Sequence, residues 1–95
     1  MLDNGEVQKA LETALSAQDS FARFGKPESE WRAWLIAAQA TKRLGKEIAA
    51  REYASSAATQ LSSLEQRWGA EAYNGYLTRS DVEHYHDQLD QLLKP

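Results

Sequence analysis

Near the end of the chain, His84 and His86 stand among Asp81, Glu83, Asp87 and Asp90, residue types that suit a metal ion. On a helix, residues two apart point about 200° away from each other, so His84 and His86 cannot ligate one ion together. His86 and Asp90 have the i,i+4 spacing that brings side chains side by side, but two ligands make a poor site. Both histidines are therefore expected to be solvated or capping groups. Nucleophilic chemistry has no better support. Cysteine is absent, and the serines occur without a GxSxG turn, a phosphate loop, an HExxH helix or a carboxylate pair in a predicted cleft. No enzyme, metal or cofactor is expected. A third group of residues suits recognition instead. On a helical wheel, Arg32, Lys42 and Arg43 share a face with Gln39 and the aliphatics Leu35 and Ile36. Three cations and an amide around an apolar anchor would suit an acidic segment or a C-terminal carboxylate. Lys42 and Arg43 also fall at a helix C-terminus, where the macrodipole favours positive charge.

These side chains must be positioned by helices. Alanine, leucine, glutamine, glutamate and lysine dominate the 95 residues, and the two prolines leave long stretches unbroken, so intrinsic preference favours an all-α chain. Asp3 and Glu6 read as a capping box, and Val7, Leu11, Ala14, Leu15 and Phe21 recur on one face, which predicts a helix over 4–23. Gly25 and Pro27 close it and open a second helix over 28–43, whose apolar residues (Trp31, Trp34, Leu35, Ile36, Ala37, Ala38, Ala40) spread over a wide arc. Such a helix should sit between neighbours. Leu44-Gly45-Lys46 forms a turn, and Ala50, Ala54, Ala57, Leu61, Leu64 and Trp68 keep a helical rhythm that predicts a third helix over 47–67. Tyr73, Tyr76 and Leu77 lie in a short helix beyond Gly69. Ser80 and Glu83 form a second capping box before a final helix to about residue 93. Arg23-Phe24-Gly25 and Arg67-Trp68-Gly69 make a faint internal repeat.

At this length the chain holds one domain with a modest core. Eleven Lys and Arg against 14 Asp and Glu give a net charge of −3, which argues against nucleic acid as the main partner. No segment approaches the ~20 apolar residues of a membrane span, and the start lacks a basic region followed by an apolar run. A cysteine-free chain of this kind is expected in the cytoplasm.

Trp34, Ala38, Gly45, Ala50, Ala54 and Ala57 set a large aromatic, small residues and a glycine turn at the intervals of a tight helical hairpin, where small side chains permit an interaxial distance near ~8 Å. Residues 30–62 resemble a tetratricopeptide repeat, with Trp34 and Ala38 in the first helix, the Leu44-Gly45-Lys46 turn, and Ala50 and Ala57 in the second. Ser62 stands where the family usually closes with proline, so the second helix runs on towards Trp68, as in the longer bacterial variants. Residues 4–24 and 70–93 resemble partial repeats on either side. The resemblance implies a protein–protein interaction scaffold, forming the C-terminal part of a larger bacterial regulatory or signalling protein. It also implies that the partner lies on the exposed face of the second helix, made of Arg32, Leu35, Ile36, Gln39, Lys42 and Arg43. Leu35 and Gln39 replace the family's lysine and asparagine clamp for carboxylates, so binding of chaperone tails is not implied.

Fewer than two complete repeats leave apolar surface to be covered. The expectation is a homodimer with Trp31 or Trp68 near a two-fold contact, and the alternative to the scaffold is a self-association module with no foreign ligand. A helical nucleic-acid binder using Arg32, Lys42, Arg43 and Arg51 is the least favoured reading.

Overall fold

The computed structural model describes residues 4–94. It consists of five helices: α1 (Asn4–Arg23), α2 (Pro27–Arg43), α3 (Glu47–Trp68), α4 (Ala70–Leu77) and α5 (Ser80–Leu93). The all-α expectation holds, and no helix of the described residues is long and apolar enough to cross a membrane. Asp3, half of the first expected capping box, lies outside those residues.

Two turns of the same design punctuate the first three helices. After α1, the amide of Lys26 donates to the carbonyl of Phe21 (2.8 Å) and that of Gly25 to Ala22 (3.3 Å). After α2, Lys46 donates to Thr41 (3.2 Å) and Gly45 to Lys42 (3.0 Å). This pair of bonds is the Schellman closure, which requires a left-handed residue at its centre, and Gly25 and Gly45 have φ of 66° and 80°. The related turns are thus Arg23–Lys26 and Arg43–Lys46, twenty positions apart in the sequence. Arg67-Trp68-Gly69 does not repeat the geometry. Gly69 (φ 85°, ψ 161°) is at once the C-cap of α3 and the N-cap of α4. The expected box at Ser80 and Glu83 is also corrected. Ser80 is already helical, Arg79 is the extended N-cap residue, and no side chain caps this end.

The helix α2 is buried on two sides, as its wide apolar arc requires. On one side Ala37 and Ala40 pack with Val7, Leu11 and Ala14 of α1. On the other, Trp31, Leu35 and Ala38 join Ala54, Ala57, Leu61 and Leu64 of α3, Tyr73 and Tyr76 of α4, and Val82 and Leu89 of α5. Ala38, Ala54 and Ala57 have no exposed surface, which is the condition for closely approaching helix axes. After α4 the chain turns so that α5 lies across α2 and α3, while α1 packs on α2 alone. Part of the apolar surface left over by the hairpin is therefore covered by α5.

Polar groups inside this packing are paired. The Trp31 indole N–H donates to the Tyr76 hydroxyl at 3.0 Å, and the buried Glu30 carboxylate accepts from Gln18 (3.0 Å) and from the Trp34 indole (3.3 Å). Trp34 itself is half-buried and stacks on Tyr53 at 5.7 Å. Burial raises the Tyr73 phenol above its usual pKa, helped by the negative charges of Glu65 and Asp90 and by the Tyr76 phenol.

Candidate interaction groove

Because α1 and α5 flank α2 without meeting each other, a groove of about 570 Å³ opens between them. Its first wall is α1, through Ala10, Thr13, Ala14, Ala17 and Phe21. Its floor is α2, through Ser29, Ala33 and Ile36, and its far rim is Arg32 with Tyr85 of α5. Ala10, Thr13, Ala17 and Phe21 lie to one side of the Val7–Leu11 face that packs on α2, and Ala14, which belongs to that packing, borders the groove. Ile36 is 49% exposed, unusual for a floor residue with apolar neighbours on both sides, and a contiguous apolar hollow of this kind marks an interaction surface more often than a solvated one.

Arg32 is fixed at the rim by α5. Its guanidinium carbon lies 4.4 Å from the centre of the Tyr85 ring, a cation–π distance. About two turns further along, Gln39 donates to Gln88 at 3.0 Å, a second tie between α2 and α5. Arg32 forms no ion pair among the described residues; those present join Arg23 to Asp19, Arg79 to Asp81 and His86 to Asp90.

The six residues expected to form one binding face are thereby divided. Arg32 and Ile36 line the groove. Leu35 does not reach the surface: it is 1% exposed and belongs to the core with α3 and α5, because α5 covers the side of α2 that a wheel drawn from sequence leaves open. Gln39 is half-buried and engaged by Gln88. Lys42 belongs to a separate hollow of about 470 Å³ at the other end of the hairpin, with Ile48, Arg51, Leu92 and Lys94. Arg43 is exposed and lines neither. Arg32 and Lys42, ten residues apart on α2, are separated by about 15 Å along the helix, and Lys42 shares its hollow with Arg51.

The two tryptophans expected near a subunit contact also separate. Trp31 is fully buried and bonded to Tyr76, so it is part of the interior and presents nothing to a second copy. Trp68 remains 36% exposed, its ring edge-on to Tyr76 at 5.2 Å. His84 lies beside Gln88, 3.1 Å away, while His86 turns towards Asp90, so the two histidines diverge as helical spacing requires. His86, Asp87 and Asp90 bring one imidazole and two carboxylates within 4.8 Å of one another, with both carboxylates exposed.

The alanines of α1 were not anticipated as a site. The signal was present, since Ala10 and Ala17 widen the apolar face of Val7, Leu11, Ala14 and Phe21 to one side. A helix with an apolar arc this wide has more surface to bury than α2 covers. Set against protein-family models, curated proteins and solved structures, the chain matches none.

Proposed function

We propose that this chain is a non-catalytic helical interaction module that holds a helix of another protein in the groove between α1 and α5. The observation that carries the reading is the groove itself: three helices frame an apolar hollow with Ile36 half-exposed on its floor. Its walls are side chains of helices, with no strand edge among the described residues to pair an extended peptide. An incoming segment must therefore satisfy its own backbone, as a helix does. The repeated glycine turns and the alanine crossing of α2 and α3 support a tetratricopeptide-like arrangement for the module. A cytoplasmic setting, within a larger bacterial regulatory or signalling protein, accompanies that reading.

A photo-crosslinking residue placed at Ile36 in the full chain tests it. The expected result is a discrete heavier adduct in cells that is missing when the same residue replaces the exposed Glu52 on α3. Identical adducts from both positions, or none from Ile36, would refute the reading. A second reading, self-association, is favoured by the exposed Phe24 (77%) and Trp68 (36%), aromatic surface that a two-fold partner would cover.

A further inference from the structure

We infer that the occupant of the groove is an amphipathic helix with small or aliphatic residues on its buried face and a carboxylate on the edge that meets Arg32. The inference rests on the groove reading above and adds the chemistry of the partner. Length comes first. The α1 wall runs from Ala10 to Phe21, eleven residue steps, which is about 16 Å or three helical turns. Width follows from the alanines. Ala10, Ala14 and Ala17 on the wall and Ala33 on the floor leave room for an incoming helix axis at the short end of the usual ~8–10 Å. Alanine, valine or leucine on the incoming face lets the axes come that close.

Charge then selects among amphipathic helices. Arg32 is half-buried before anything docks, stacked on Tyr85 and without an ion-pair partner among the described residues. A helix laid in the groove removes more water from this cation, and a buried charge left unpaired is strongly unfavourable. Stacking on the Tyr85 ring occupies one face of the guanidinium, while its N–H donors lie in the guanidinium plane and suit a carboxylate fork. The partner that offsets the desolvation is one carrying Glu or Asp at that edge.

A displayed library of eighteen-residue amphipathic helices decides the matter. Apolar positions are drawn from Ala, Val, Leu and Ile, flanking positions are open to Glu, Lys and Gln, and the bait is the purified full chain. Selected helices should converge on Glu at one flank. Its replacement by Lys should weaken binding about tenfold, and Arg32→Glu should turn the selection towards Lys. Should Arg32→Glu fold poorly, binding of a selected helix to the unaltered chain must still weaken as salt is raised. Helices that bind without charge preference or salt dependence, yet are lost with Ala17→Arg, overturn the carboxylate and leave the groove reading standing. Helices indifferent to Ala17→Arg overturn both. If no helix is selected and the chain sediments as a dimer that Ala17→Arg dissociates, a second copy fills the groove and the inference fails. Failure of selection on a monomeric chain overturns it as well.

Discussion

Replacing Ala57 by leucine would test the packing from which every other feature of the molecule hangs. Ala57 sits in α3 with no exposed surface, in one core cluster with Ala38 of α2 and Ala54 of its own helix, neither of which is exposed. Three added carbons at a close-packed crossing must push α3 from α2 or force rotamers out of their wells, at a cost of about 1–3 kcal/mol. For 95 residues, an unfolding entropy of about 2.1 cal/mol/K per residue gives about 0.2 kcal/mol/K, so the melting temperature should fall by about 5–15 °C. Thermal unfolding followed by far-ultraviolet circular dichroism measures it. Ala72→Leu on the exposed face of α4 is the comparison, with a change of no more than about 0.5 kcal/mol. If the two variants melt together at the wild-type temperature, α2 and α3 do not approach closely, and the arrangement that leaves the groove open loses its foundation.

Further outcomes follow from the turns and from the buried phenol. Gly45 has φ of 80°, and a Cβ built there would meet nothing within 4 Å, so Gly45→Ala should lower stability by about 1–2 kcal/mol through backbone conformation alone. Gly25→Ala should match it in denaturant titration because the turn is the same. Tyr73 has a folded pKa raised above the usual 10.0, so its contribution is fully present below that pH and is lost as pH rises through the folded value. Stability should therefore decline on the alkaline side, and Tyr73→Phe should flatten that part of the profile.

Helix placement was largely legible because glycine and proline mark its breaks. Gly25-Lys26-Pro27 and Gly45 bound α2, and the expected 28–43 became Pro27–Arg43. Local chemistry misled at Ser80, where serine and glutamate at capping spacing occur one residue too late and Arg79 takes the cap position. What a single sequence did not disclose was the return of α5 over α2 and α3. The arc of α2 is apolar nearly all round, so its pattern does not mark the open side, and long-range packing with α3, α4 and α5 makes Trp31 and Leu35 interior. The same packing leaves Ile36 facing α1. Leu35 and Gln39, two of the six expected residues, were taken up by packing with α5 for that reason, and the groove between α1 and α5, a product of tertiary arrangement, keeps only Arg32 and Ile36 of the six.

The most direct test of the groove as the docking site is methyl NMR of the full chain as the crosslink-identified helix is added. Shifts should concentrate on Ala10, Ala14, Ala17, Ala33 and Ile36, with Ile48, Ala50 and Leu92 at the far hollow unmoved. Shifts at Ile48, Ala50 and Leu92 with the groove methyls unchanged would contradict it.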